Sequence, residues 1–218
     1  MASAPYVELH CHSCYSFHEG ASWPHELLLR ARELAYPALA LTDHDNLAIA
    51  LDFAHTAKSL GIKPITGVEV TLQGGHHLTL LAETAVGYAN LCKLLSYAHV
   101  KGDRLAPAID PAWFADHGEG LIVLTGCPKG LVPGLVAEGR TAEAEAVLRQ
   151  YMDWFGGDHV YVELQQTLAP GDRSRNRRLH EMAKRLGIPA VATNNVHYHL
   201  RERPRLNDAL VAVKHLKS

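Results

Sequence analysis

Short apolar runs alternate along the chain with longer stretches whose apolar residues recur at helical spacing. The runs are Tyr6–Leu9, Ala38–Leu41, Pro64–Val70, Leu78–Ala82, Leu121–Thr125, Val160–Leu164 and Ala190–Thr193. Their length and their content of Val, Ile, Leu and Thr predict buried strands. Helices are predicted over Pro24–Leu34, Leu47–Leu60, Ala85–Ala98, Thr141–Phe155 and Arg175–Leu186. Asp110 before Pro111 reads as an N-cap and first helical residue, and Gly61 and Gly187 read as helix stops. Only Gln73-Gly74-Gly75 and its neighbours separate the third and fourth runs, too few residues for a parallel crossover, so that pair is expected to be a hairpin. Strands joined mainly by helices predict an α/β fold, either a closed barrel or a doubly wound sheet. Residues 1–218 carry no repeat or long linker and are expected to form a single domain. Arg201–Ser218 reads as a basic helix ending without a capping signal.

Composition narrows the function classes. A net charge of -2 over 218 residues means that a nucleic-acid partner must be attracted locally, by a basic stripe or by bound ions. No apolar stretch approaches the roughly 18 residues of a membrane span. Met1-Ala2-Ser3-Ala4-Pro5 lacks the basic and apolar segments of an export signal, so cytoplasm is the expected compartment. There Cys11, Cys14, Cys92 and Cys127 are expected to be thiols. The outlier is histidine, with 15 copies.

In α/β folds the chemistry collects at the C-terminal ends of strands. Those ends carry Leu9-His10-Cys11-His12, Thr42-Asp43-His44-Asp45, Gly67-Val68-Glu69, Thr125-Gly126-Cys127, Glu163 and Asn194-Asn195-Val196-His197, and the hairpin returns through His76-His77. In an extended His10-x-His12 the two imidazoles share one face and can reach one ion. Imidazole, carboxylate and thiolate together suit Zn²⁺, Mn²⁺ or Fe²⁺. Glu69 is the natural bridge between two ions. Each part also has a plainer reading. Asp43 can cap a following helix or orient a ligating histidine, and the second is favoured. Period two turns Cys11 away from the histidines, into packing. Cys92 is expected in the core. Glu163 is either part of the site or the partner of a nearby base. His18, His25, His55, His99, His117, His159, His180 and His215 stand outside the constellation.

The set His10-Cys-His12, Thr42-Asp43-His44-Asp45, Gly67-Val68-Glu69, His77-Leu-Thr-Leu-Leu, Gly126-Cys127 and Thr193-Asn-Asn195-Val-His197 resembles the PHP (polymerase and histidinol phosphatase) superfamily. It is similar in particular to the PHP domain of bacterial DNA polymerase III α and error-prone polymerases. That resemblance implies a distorted (β/α)7 barrel, TIM-like, with two or three divalent ions (Zn, Mn or Fe) at the C-terminal ends of its strands. It implies His10, His12, Glu69 and Asn195 around one ion, Glu69, His77 and Cys127 around a second, and Glu19, His44 and His197 around a third. Glu19 and Asn195 both stand where the family usually has Asp. An amide coordinates without bringing charge, so the first ion is expected to be held more weakly.

No Ser or Cys nucleophile with an adjacent base is evident, so hydrolysis by metal-activated water is the expected reaction, with His10, His12, Glu69, His44 and Asp43 carrying it. Arg173, Arg175 and Arg201 are candidates for holding phosphate oxygens. The resemblance implies a 3′–5′ exonuclease on DNA, acting on a single strand or 3′ end. A phosphatase of small monoesters (histidinol phosphate or a nucleotide), or a metal-stabilised structural module of a polymerase, are the alternatives. DNA synthesis needs far more chain than this; the uncapped end suits a domain excised from a polymerase, and a stand-alone protein sharing ancestry with that domain is the alternative.

Overall fold

The structure, a computed structural model, describes residues 5–102 and 106–216. Met1–Ala4, where the export signal was judged absent, and Lys217 and Ser218, the end of the expected last helix, lie outside the described residues. In chain order the elements are α1 (Pro24–Glu33), β1 (Ala38–Leu41), α2 (Ala50–Ser59), β2 (Lys63–Thr71), β3 (His77–Ala82), α3 (Ala85–Lys101), α4 (Phe114–His117), β4 (Leu121–Leu124), α5 (Leu131–Ala137), α6 (Thr141–Phe155), β5 (Val160–Gln165), α7 (Asp172–Leu186), β6 (Ala190–Thr193) and α8 (Pro204–Lys214). The expected α/β class is found. The chain divides into two compact units, Met1–Val68 with Asn195–Ser218, and Glu69–Asn194.

In the first unit, α1 starts where Pro24 fixes φ and the Glu26 carboxylate accepts the Trp23 N–H at 2.8 Å. Its Leu27, Leu28 and Ala31 join Cys11, Leu39, Leu41 and Phe53 in one apolar cluster. Each large side chain buried there contributes about 1.5–3 kcal/mol. β1 pairs in parallel with β2, Ala38 opposite Lys63 and Leu41 opposite Thr66. Gly61, at φ 73°, closes α2 as expected. The expected first strand, Tyr6–Leu9, is corrected to a single parallel bridge, Glu8 to Leu39. The cause is Glu8 itself: its buried carboxylate accepts the His10 N–H at 3.0 Å and the Tyr6 hydroxyl at 2.8 Å, taking a donor that a ladder needs.

In the second unit the strands neighbour one another in chain order, from the end of β2 through β3, β4 and β5 to β6. Leu72, Gln73, Gly74, Gly75 and His76 make the expected tight turn, with the Leu72 N–H donating to His76 O at 2.7 Å. β3 then runs antiparallel to β4, Thr79 opposite Leu124, while β4, β5 and β6 are parallel. This single reversal brings His77, first residue of β3, to the end where β4 stops. In α6, Ala144, Leu148, Tyr151 and Phe155 form the buried stripe. α7 begins three residues earlier than the apolar pattern predicts. Asp172 fastens its start by accepting the Thr167 N–H at 2.8 Å and the Ala169 N–H at 3.2 Å. α5 was not anticipated from the apolar pattern. Pro133 falls in the first turn, where a helix needs no N–H donor. Cys92, expected in the core, is only half-buried on α3.

Candidate functional site

Each unit gathers its own set of metal-ligating side chains. In the first, the His10–His12 segment is pinned beside Val196: the Val196 N–H donates to His10 O at 2.9 Å and the His12 N–H to Val196 O at 2.7 Å. The ladder-like geometry turns Cys11 into the apolar cluster and leaves both imidazoles on the other side. Their ring centroids lie 5.1 Å apart, with ligand nitrogens within 4.8 Å of each other. Both rings are buried. His197 stacks on His12 at 4.8 Å, the planes 17° apart.

Asp43 is buried and touches no histidine nitrogen in these contacts; it is bound instead by serines. Its Oδ1 accepts from the Ser13 N–H and the Ser16 hydroxyl, and its Oδ2 from the Ser13 hydroxyl, each at 2.7 Å. Burial pushes the Asp43 carboxyl above the usual carboxylate range, and these hydrogen bonds pull against that. In the ionised form the carboxylate accepts from all three groups. Ser16 therefore gives its one proton to Asp43, and its oxygen also accepts the His44 N–H at 3.0 Å. His12 Nδ1, 3.0 Å from the same oxygen, must be the protonated nitrogen. Nε2 of His12 is thus left with its lone pair, the form a cation takes. His197 is set the same way, its Nδ1 donating to the carbonyl of Glu19 at 3.0 Å.

The remaining first-unit candidates are distinct in kind. Asn195 sits at φ 51°, a left-handed conformation that Asn tolerates, and its buried Oδ1 accepts no hydrogen bond among the described residues. His44 Nε2 lies 3.2 Å from Asp45 Oδ2. The Glu19 carboxylate is ion-paired with Lys214 of α8. Arg201 is exposed.

In the second unit Glu69, His77 and Cys127 come together. His77 Nδ1 is 3.2 Å from Glu69 Oε2 and 3.6 Å from Cys127 Sγ. Gly126 makes this approach possible: at φ 88° it turns the chain out of β4, and a Cβ there would stand 2.9 Å from His77 O. Burial, then the Glu69 charge, pushes the Cys127 thiol well up, so a nearby cation is what would stabilise its thiolate. Glu163 accepts from the Gly126 N–H at 3.0 Å, from Gln165 Nε2 at 2.8 Å and from the Thr193 hydroxyl. Among the phosphate candidates, Arg175 is engaged by Asp172 at 2.8 Å, whereas Arg173 is exposed and lines a surface cavity with Gln166 and Ser174.

Two imidazoles with fixed lone pairs, an unsatisfied buried amide oxygen and a carboxylate–imidazole–thiol cluster fit divalent cations. Sequence reasoning missed Ser13, Ser16, Gln165 and Thr193. The signal for them is indirect, since a buried Asp or Glu requires donors, and short hydroxyl side chains beside the ligand positions supply them.

The chain is 42% identical over 227 residues to an error-prone DNA polymerase of Symbiobacterium thermophilum, covering 97% of this chain and 21% of that protein. It is 38% identical to a DNA polymerase III subunit alpha of Treponema pallidum, covering 98% and 19%. It thus spans about a fifth of the length of these relatives. Among solved structures, it resembles a protein of Bifidobacterium adolescentis described as a metal-dependent phosphoesterase, with TM-score 0.62, 15% identity and coverage of 92% and 90% of the two chains. It also resembles an amidohydrolase of Chromobacterium violaceum, with TM-score 0.60, 18% identity and coverage of 94% and 96%. Residues 8–167 match the PHP domain family, and on that match the chain belongs to it.

Proposed function

We propose that the chain is a metal-dependent phosphoesterase that removes nucleotides from DNA as a 3′–5′ exonuclease, within or alongside a bacterial replicative or error-prone polymerase. The observation that carries the hydrolytic part is the buried Glu69–His77–Cys127 cluster in a PHP domain. The choice of DNA over a small monoester rests on the polymerase relatives, which also favour a cytoplasmic setting.

The proposed metal ligands are His10, His12, Glu19, His44, Glu69, His77, Cys127, Asn195 and His197. Bound divalent ions supply electrophilic stabilisation of the phosphorus oxygens and lower the pKa of water. The chain's own residues do the rest. Asp43, through Ser16, holds His12 in the tautomer whose Nε2 carries the lone pair. The carbonyl of Glu19 does the same for His197. Glu163 holds the Gly126 amide, and with it the turn that carries Cys127.

The test is an assay of Mn²⁺- or Zn²⁺-supplemented protein on 3′-labelled and 5′-labelled single-stranded DNA, beside a small phosphomonoester. A wild-type ladder shortening from the 3′ end, absent from the His10→Ala/His12→Ala variant, supports the reading. Monoester cleavage with no ladder would assign the chain a phosphatase activity instead. Bound metal with neither activity would make the ligands structural.

A further inference from the structure

Between the proposed ligands His12 and Glu19 the chain makes a tight turn with an aromatic ring at its tip. Phe17 is 73% exposed. A single exposed phenylalanine is ordinary on a protein surface. What distinguishes this one is the rigidity of its seat. The Ser16 N–H donates to Ser13 O at 2.9 Å, and the Glu19 and Gly20 N–H groups both return to Ser16 O, at 2.9 and 3.0 Å. The Ser16 side chain is held by Asp43, and the Glu19 carbonyl receives both His197 and Asn207. Gly20 packs so tightly that a Cβ would fall 1.8 Å from Ser13 O. His18, next to Phe17, is at φ 64°, a left-handed conformation that residues other than glycine rarely adopt. The backbone that carries Phe17 is thus fixed by the same contacts that set His12 and His197.

An exposed ring on a fixed turn, one residue from Ser16 and two from Glu19, suits a flat apolar ligand. We propose that Phe17 is a stacking platform for a nucleobase of single-stranded DNA and selects polynucleotides over small phosphate esters. It rests on the exonuclease reading for its substrate. Base–aromatic stacking needs no particular base, since every base has a π face. Tyr15, two residues earlier, packs edge-on against exposed Trp23 at 6.4 Å, so further aromatic surface flanks the same segment in sequence.

The experiment measures binding as well as turnover. Wild-type, Phe17→Ala and Phe17→Trp proteins are titrated with a fluorescent oligo-dT and with a strand of equal length built of abasic residues, which keeps the phosphates and removes the bases. Phe17→Ala is expected to weaken dT binding about five- to a hundredfold, the range of one lost stack. It should do much less to the abasic strand, and Phe17→Trp should restore dT binding. In turnover, kcat/KM for dT relative to that for an aryl phosphodiester should fall by a similar factor. Equal weakening on both strands would mean a structural role and overturn the proposal, as would unchanged dT binding or wild-type protein that does not bind dT. Base-dependent binding without DNA cleavage would keep the platform and reject the exonuclease; cleavage indifferent to Phe17 would do the reverse.

Discussion

Asp43 controls His12 through one hydroxyl: Ser16 Oγ donates to Asp43 Oδ1 at 2.7 Å and lies 3.0 Å from His12 Nδ1. The carboxylate thus acts on the imidazole without being next to it. Ser16→Ala removes the acceptor that fixes the His12 tautomer and leaves the His44 N–H without its partner. Apparent metal affinity is expected to fall about 10–100-fold, the usual effect of losing a group that orients a ligand. Competition against a chelator measures this. Unchanged affinity would show that His12 is oriented by its backbone alone.

Glu163 joins three strand ends, because its carboxylate accepts from Gly126 after β4 and Thr193 on β6 while standing on β5 beside Gln165. Glu163→Ala strands several buried donors, at a cost of about 2–4 kcal/mol in urea denaturation. Glu163→Gln keeps the shape and one acceptor and should lose less.

Gly126→Ala adds a methyl group 2.9 Å from His77 O at a residue with φ 88°. We expect a loss of roughly 1–3 kcal/mol, with a further loss of metal affinity because the turn sets Cys127 against His77. Global stability lowered with metal affinity unaltered would separate the turn from the ligand set.

Acid should loosen the first unit. Burial pushes the Glu26 carboxyl up, but the Trp23 N–H and the Arg203 guanidinium outweigh it, and the group titrates below the usual carboxylate range. Burial drives His199, 3.9 Å away, below the usual imidazole range. A depressed carboxylate contributes stability above its unfolded pKa of about 4.3 and loses it as pH falls through the folded value. A depressed imidazole loses stability as pH drops below about 6.5, because the unfolded chain takes the proton first. The signs agree, so Tm should fall from pH 7 to about pH 3. His199→Asn should flatten the upper part of that profile and Glu26→Gln the lower.

Much of this was legible before any coordinates. Val, Ile and Leu runs of strand length fixed β1 to β6, and the glycine turn after β2 announced the reversal that carries His77 to Cys127. Tyr6–Leu9 failed as a strand because Glu8 takes a ladder donor for its own carboxylate, a choice that apolar spacing does not encode. The division of the chain into two units was equally silent. It falls inside β2, between consecutive residues Val68 and Glu69 of one uninterrupted strand. The candidate ligands and their positions could be read from spacing, whereas the serines under Asp43 could not, since hydroxyls are too common to stand out.

The most direct test follows bound metal and DNA hydrolysis in the same samples while metal-stripped protein is titrated with Mn²⁺. The account predicts that both rise together in the wild type, and that both are lost in His12→Ala and weakened in Ser16→Ala. Hydrolysis that persists after metal stripping, or that is equal in wild type and His12→Ala, would contradict it.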